Sequence, residues 1–199
     1  MSIKTFLFYA ILIISEVDKM TIQELEKLDN TFNQAMFLTK VNNIFIKFFT
    51  AIMSDKLAEV DHFVGDDVYN FGESKVAPLR SKNYRQMYDE LNVKNSMIKS
   101  VDIVDNNYVV EVYLEARYMD YILDLNSGDV VSGNDSARTQ VNYMLTFIKS
   151  SGAVDQGIAK KCQACGAPMD VNNSGKCEYC GAIYKQEMHD WVLEKINIC

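Results

Sequence analysis

The chain has 199 residues, of which 48% are apolar and 24% charged, and its formal net charge is −7. A chain of this length and composition can bury an ordinary hydrophobic core, which excludes the disordered and collagen-like classes. Nonspecific binding to nucleic-acid phosphates requires a concentrated Lys and Arg surface, so the net negative charge of this chain disfavours a nucleic-acid partner.

A short apolar run lies near the N-terminus. FLFYAILII, residues 6–14, follows Lys4. A membrane-spanning helix needs about 20 residues, so this run is too short to cross a bilayer. Two interpretations remain open. The run is either the apolar region of a signal or anchor, although no small-x-small cleavage pattern follows it, or a helix or strand end that folds onto the domain.

Helical patterns fill the first half of the chain. Thr21 and Glu24 have the spacing of a capping box, so a helix is expected to begin there. Residues 31–53 carry apolar side chains at helical spacing and predict a long amphipathic helix. Its apolar stripe consists of Phe37, Val41, Phe45, Phe48 and Ile52.

Two shorter helices are predicted after the long one. Ser54 is a suitable N-cap for the first of them, and Gly65 is expected to end it. Its apolar positions are Leu57, Val60 and Val64. The second is predicted to follow Pro78. Its apolar positions are Tyr84, Met87, Tyr88 and Leu91.

After Asn95 the period of the apolar residues changes from 3.6 to 2, which is typical of strands. Residues 108–121 and 141–149 predict half-buried antiparallel strands, residues 97–104 a weaker one, and residues 124–133 a turn-rich connection with a short strand. The inward positions of the first strand are Val110, Val112, Leu114, Ala116 and Tyr118. Helices followed by antiparallel strands predict an α+β fold with a sheet curled around the helices.

Four of the five cysteines form two CxxC pairs that are separated by eleven residues; they are Cys162, Cys165, Cys177 and Cys180. Each pair supplies two corners of a tetrahedron, and the glycine after each second cysteine lets the backbone turn around a metal. The spacing predicts a structural zinc ribbon with a closed site, while iron and disulfides remain alternatives. Cys199 is interpreted as an exposed, incidental thiol.

Several runs together resemble a known family. They are the helical run from DNTFNQAMFLTKV to HFVGDDVY, the run EARYMDYILDLNSGDVVSGN, the strand YMLTFIKS and the tail CQACGAPMDVNNSGKCEYCGAIYKQEMHDWVLEKI. In this combination the chain is similar to bacterial Tim44-like proteins that end in a zinc ribbon, over residues 31–199. The cysteine-rich part, with Asp190 and Trp191 after it, is the more specific half.

The resemblance implies a cystatin-like roll of the nuclear-transport-factor-two superfamily, a cone with an apolar pocket between helices and sheet. The family's best-known member is a peripheral membrane protein of the mitochondrial inner membrane that tethers the import motor. The resemblance therefore implies protein or lipid binding, linked to protein transport or a membrane surface, rather than catalysis. That member has no ribbon, so its partner is not carried over.

The predicted organisation is an N-terminal apolar segment and helix (1–30), the roll (31–149), a linker (150–157) and the zinc ribbon (158–199). Large side chains on elements expected to face one another are the candidate pocket contacts, namely Phe45, Tyr118 and Tyr143. The expected partner is a protein, a hydrophobic peptide or a lipid. The expected location is cytoplasmic, peripheral at the membrane.

An enzyme is the rival class, because the same roll hosts isomerases, dehydratases and hydrolases. Such sites need an Asp–His or Asp–Tyr set that faces the pocket. His62 is expected to pack in a short helix, and His189 lies beside a ribbon whose four cysteines already complete the metal site. Asp120 is the one acid to test, because it either faces inward in register with Tyr118 or ends the strand in water. The sequence shows no recognisable pair of a nucleophile and a base, so no catalytic residue is predicted.

Overall fold

The computed structural model describes residues 20–152, 160–161, 167–169, 179 and 190–199. In this part of the chain the helices are α1 (Ile22–Leu28), α2 (Gln34–Ser54) and α3 (Asp66–Arg80), with a 3-10 turn at Leu57–Glu59. The strands are β1 (Tyr84–Val104), β2 (Asn107–Asp124), β3 (Val130–Ser150), β4 (Lys160–Lys161), β5 (Pro168–Met169) and β6 (Val192–Ile198).

The first helix begins as the sequence predicts, and the second begins at Gln34, three residues later than the predicted start at residue 31. Thr21 and Glu24 form the capping box of α1, in which each residue bonds the backbone of the other. The side chain of Asn33 accepts a hydrogen bond from the backbone N–H of Met36 and caps α2. The predicted stripe of α2 is buried at every position. The local signals of these two helices are therefore confirmed.

The predicted helix that ends at Gly65 is wrong. Leu57–Glu59 is only a 3-10 turn, and Gly65 is the N-cap of α3 instead of a C-cap. Asp66 and Asp67 stand in the first turn of α3, where carboxylates complement the helix dipole. The apolar side chains of the turn region are nevertheless buried, as expected for Leu57, Val60 and Val64.

The predicted helix after Pro78 is also wrong, because Pro78 lies near the end of α3 and Tyr84–Val104 is a strand. The apolar spacing of residues 84–91 fits a helical period, but their pairing with β2 decides the conformation, as in Tyr88 opposite Asp120. Three register shifts interrupt the strand, and Glu90 takes a left-handed φ of 54° beside one of them. Long-range pairing thus overrides the local pattern.

The main sheet has the antiparallel order β1-β2-β3-β6, and the helices pack on it. The predicted inward positions of β2 are all buried. Contacts between rings join α2 to β3, with centroid distances of 5.7 Å for Phe37–Phe147 and 5.0 Å for Phe45–Tyr143. The α+β class, with helices on an antiparallel sheet, is confirmed.

The segment Val192–Ile198 belongs to this sheet. It pairs with β3 from Ile148↔Val192 to Tyr143↔Ile198, and Trp191, Val192 and Leu193 are buried. The sequence assigned these residues to the ribbon at 158–199, but their apolar side chains complete the core, so they form an edge strand of the roll. Residues 153–189 are therefore an insertion between two paired strands rather than a tail.

Candidate functional site

The predicted pocket residues form part of a closed aromatic cluster beneath α2. Phe45, Tyr118 and Tyr143 are almost fully buried. Phe49, one turn further along α2, packs against both tyrosines at centroid distances of 5.9 and 5.8 Å, and Tyr88 of β1 packs against Tyr118 at 5.2 Å. These rings fill the space between helix and sheet. None of the three predicted contacts lines the surface grooves that are described below.

Two buried hydroxyls lie at the centre of this cluster. Tyr118 Oη and Tyr143 Oη are 2.5 Å apart, so one hydroxyl donates to the other. Burial raises the pKa of Tyr143, and the hydrogen bond to Tyr118 raises it further. Burial also raises the pKa of Tyr118, although its bond to Tyr143 opposes this shift. Both groups are neutral hydrogen-bonding hydroxyls at physiological pH.

Asp120 lies in water, as in the second of the two arrangements that the sequence left open, although β2 continues past it to Asp124. It lies opposite Tyr88 in the β1–β2 ladder, beside a register shift between Tyr118 and Asp120, and it is exposed. Gln86 Nε2 donates to Asp120 Oδ1 at 2.7 Å. Burial is the main cause of the raised pKa of Tyr88, and the charge of Asp120 adds to it. The carboxylate therefore sits in water at the edge of the tyrosine cluster.

The predicted metal cysteines Cys162, Cys165, Cys177 and Cys180 lie outside the described residues, as does His189. Among the residues that are described, no group of three or more His, Cys, Asp and Glu side chains has the arrangement of a metal site. The side chain of His62 is largely buried and packs against the Phe63 ring, with a centroid distance of 3.9 Å and an angle of 42° between the rings. Cys199 is a free, exposed thiol, as predicted.

Sequence reasoning missed two grooves on the outer side of α2. One has a volume of about 580 Å³ and lies between α2 and residues 58–63; the other has a volume of about 290 Å³ and lies between α2 and Trp191. Lys47 and Phe63 line both, so the two grooves adjoin, and Lys47 Nζ lies 4.8 Å from the centroid of the Phe63 ring. The sequence held one sign of these grooves: two apolar residues, Met36 and Ile46, lie on the polar side of α2.

The smaller groove is held open by residues that are distant in sequence. Asp190 pairs with Lys40 of α2 at 2.5 Å and also accepts the backbone N–H of Trp191 at 2.7 Å. The Trp191 ring packs against Phe37 and Phe32 at centroid distances of 4.9 and 5.8 Å. The start of β6 is therefore fixed to α2. Trp191 and the exposed side chain of Met36 both line the groove, together with polar side chains such as Lys40.

By length and composition, α2 is apolar enough to cross a membrane. In the folded domain its apolar stripe packs on the sheet. It therefore serves as the core helix of the roll, and its outer side remains available to solvent.

The architecture and these surfaces define a class: an α+β domain with a closed aromatic core and open grooves along its central helix. More specifically, the chain belongs to the Tim44-like domain family, whose model matches residues 19–157. The match ends before the CxxC pairs. The resemblance is thus confirmed for the helices and the main strands.

Among solved structures, the chain is similar to the intermembrane space region of the chloroplast protein ARC6, with 10% sequence identity and a TM-score of 0.43. The similarity covers 90% of this chain and 97% of that chain. Among curated proteins, none matches this sequence.

Proposed function

We propose that this chain is a non-enzymatic binding protein that takes an apolar partner, a hydrophobic peptide or a lipid acyl chain, and works in protein transport or at a membrane surface. The observation that carries the proposal is the groove on the outer side of α2, which combines the exposed Met36 with Phe63 and the nearly buried Ile44 and Trp191, and which is rimmed by polar side chains such as Lys40 and Asp190. Membership of the Tim44-like family supports the same kind of role. A cytoplasmic location, peripheral at the membrane, goes with it.

We propose a partner on the outer side of α2 because aromatic side chains occupy the space beneath this helix. Phe45, Tyr118 and Tyr143 contact neighbouring rings directly, so an acyl chain among them would have to displace buried side chains. A partner in the outer groove leaves the packing of Phe45, Tyr118 and Tyr143 undisturbed, so these residues continue to hold α2 on the sheet. Burial of an eight-carbon stretch there contributes about 6 kcal/mol, at roughly 0.8 kcal/mol per methylene, before the cost of immobilisation.

The test is a titration of the full chain with a fluorescent fatty acid and with a labelled amphipathic peptide. Met36 is 73% exposed, so Met36→Glu places a charge in the groove without disturbing the core. The matched control is Met97→Glu, at an exposed methionine of β1. We expect Met36→Glu to weaken binding at least tenfold and Met97→Glu to leave it unchanged. Absence of binding by the parent, or equal binding by all three proteins, would place the function elsewhere.

We further propose that the four cysteines hold one structural zinc ion. Four thiolates in two CxxC pairs are the soft ligand set that suits zinc, and a fully ligated ion would fold the inserted segment rather than take part in chemistry. The insertion point between β3 and β6 suits such a module, because the paired strands hold its two ends together.

A pocket enzyme of the isomerase, dehydratase or hydrolase type is the second candidate. One observation favours it: the Asp120 carboxylate is close enough to the tyrosine cluster to add to the raised pKa values that burial gives Tyr88, Tyr118 and Tyr143. An activity screen over esters, epoxides and ketosteroid-like substrates separates the two candidates. The binding proposal expects no turnover above background, whereas turnover that is lost in Asp120→Asn would favour the enzyme.

A further inference from the structure

The two adjoining grooves on the outer side of α2 differ in chemistry. The smaller one exposes mainly apolar surface, from side chains such as Met36, Phe63 and Trp191, although Lys40 and Asp190 stand at its rim. The larger one mixes apolar surface with polar side chains, which are Lys47, Thr50, Ser54, Glu59, Asp61 and His62. The two grooves together therefore form one surface with a more apolar end and a more polar end.

Two of the charged side chains that line these grooves are neutralised within the protein at each of two ion pairs or by one partner beside the groove. Lys40 pairs with Asp190 at the smaller groove. Glu59 of the larger groove pairs with Lys56, at 3.3 Å. A ligand therefore does not need to supply an opposite charge for any of these side chains.

Lys47 and Asp61 are the charged groove residues that remain. Lys47 lines both grooves and lies over the Phe63 ring, and no carboxylate pairs with it in the described part of the chain. Asp61 lines the larger groove only; its side chain is 53% exposed, and its neighbour there is the His62 ring, with Nδ1 3.4 Å from Oδ1. The surface thus presents an unpaired cation where the grooves meet and an exposed carboxylate beyond it.

We propose that the two grooves together bind a single-chain phospholipid with a zwitterionic headgroup. Its acyl chain lies in the smaller groove toward Met36, about three turns of α2 before Lys47. Its phosphate pairs with Lys47, and its ammonium group pairs with Asp61. In such a lipid the phosphate stands between the chain and the ammonium group, which is the order in which the surface presents Met36, Lys47 and Asp61. The inference rests on the proposed binding of an apolar partner and names its headgroup.

Charge and size both favour this ligand. An anionic headgroup brings a like charge toward Asp61, and a cationic headgroup brings one toward Lys47, whereas a zwitterion matches both residues. The grooves have volumes of about 580 and 290 Å³, which suits a small molecule, since sites of that kind usually measure about 300–1,000 Å³.

The experiment is a titration of the full chain with three ligands that share a dodecyl chain, each below its critical micelle concentration. Dodecylphosphocholine is zwitterionic, dodecyl phosphate is anionic and dodecyltrimethylammonium is cationic. Trp191, the single tryptophan of the chain, lines the smaller groove, so its fluorescence reports a ligand bound there. We expect dodecylphosphocholine to bind about fivefold more tightly than either of the other two.

Charge variants assign each half of the headgroup. Lys47→Gln should weaken binding of the two ligands that carry a phosphate about fivefold and should not weaken binding of dodecyltrimethylammonium. Asp61→Asn should weaken binding of the two ligands that carry an ammonium group and should not weaken binding of dodecyl phosphate. The matched controls are Lys94→Gln and Asp105→Asn, at exposed residues that line neither groove, and they should leave all three affinities unchanged.

The outcomes separate this inference from the proposed function. Equal affinities for the three ligands, or equal effects of the groove variants and their controls, overturn the headgroup inference while the binding of an apolar partner stands. Binding of the labelled amphipathic peptide without binding of any dodecyl ligand assigns the grooves to a peptide and also overturns the inference. A chain that binds neither the dodecyl ligands nor the peptide overturns both proposals.

Discussion

Lys149 and Asp29 are 120 residues apart in the sequence, and their side chains form an ion pair at 2.6 Å in which each is only 7% exposed. Thr31 completes the group, because its hydroxyl donates to Asp29 and lies 2.9 Å from Lys149 Nζ. The pair ties the turn between α1 and α2 to the last residues of β3. It is the most buried ion pair in the part of the chain that the structure describes.

Removal of one member of this pair should strongly destabilise the fold. Lys149→Met leaves the Asp29 carboxylate buried without its cation, and we expect a loss of about 3 kcal/mol in the free energy of unfolding, measured in urea. The control is Lys40→Met, which breaks the more exposed pair with Asp190 and should cost less than about 1 kcal/mol. Equal losses in the two variants would contradict the assigned role of burial.

The same pair should make stability depend on acid pH. Burial opposes the charged form of Asp29, but hydrogen bonds from Lys149 and Thr31 and the Lys149 charge outweigh it, so the pKa of Asp29 is lowered. A lowered pKa in the folded state adds stability above the unfolded pKa of about 3.9 and loses it as the pH falls through the folded value. Urea unfolding between pH 6 and about pH 2 should show this loss in the parent. In Asp29→Asn the corresponding part of the slope should be missing.

The hydroxyls of Tyr118 and Tyr143 should be energetically coupled. Tyr143→Phe and Tyr118→Phe each remove one member of a buried hydrogen bond, and each should cost about 1–2 kcal/mol of unfolding free energy. The double variant leaves no hydroxyl without its partner, so its cost should be smaller than the sum of the two single costs. A double-mutant cycle in urea measures this difference, and strict additivity would contradict the coupling.

Alkaline pH should weaken the same cluster. Burial is the main cause of the raised pKa of Tyr143, so the neutral ring stabilises the fold below the unfolded pKa of about 10. This contribution is lost as the pH rises toward the folded value, since the unfolded state ionises first. The free energy of unfolding should therefore fall as the pH rises above about 10 in the parent, and it should fall less in Tyr143→Phe. The share of the tyrosinate absorbance that belongs to the buried rings should appear together with unfolding and not before it.

Two glycines with similar backbone angles should differ in their tolerance of alanine. Gly133 has φ 86°, and a Cβ there would lie 2.3 Å from the backbone oxygen of Asp120. Gly128 has φ 80° in open space. Gly128→Ala should cost only the left-handed strain of about 1 kcal/mol. Gly133→Ala should cost clearly more because backbone must move; amide exchange at the β2–β3 hairpin and urea unfolding measure both.

Metal removal should affect the insertion and spare the sheet. Protein purified without added metal should contain about one equivalent of zinc, and Cys177→Ser should release it. Because Trp191 and Leu193 are buried against the roll, the amides of β6 should stay protected from exchange in the metal-free protein. Iron in place of zinc, or cysteines found as disulfides, would contradict the proposed site. Loss of β6 protection would contradict its independence from the metal.

Local patterns were sufficient for several elements of this fold. The capping box at Thr21 and the apolar stripe of α2 are properties of neighbouring turns, and each is present as predicted. The alternation in β2 identifies its buried face, since side chains of a strand alternate whatever its partner is. The family could likewise be read from the sequence.

Only the tertiary structure decided the remaining features, because each depends on a partner that is distant in the sequence. Residues 84–91 carry a helical period but belong to a strand, since β2 pairs along the whole of Tyr84–Val104. The grooves on α2 exist because Phe63 and Trp191 come to lie beside that helix, which no local pattern encodes. Phe45 and Phe49 of α2 contact Tyr143 of β3, so aromatic rings pack in the space between helix and sheet. Close packing of side chains from separate elements determines whether such a space is a core or a cavity.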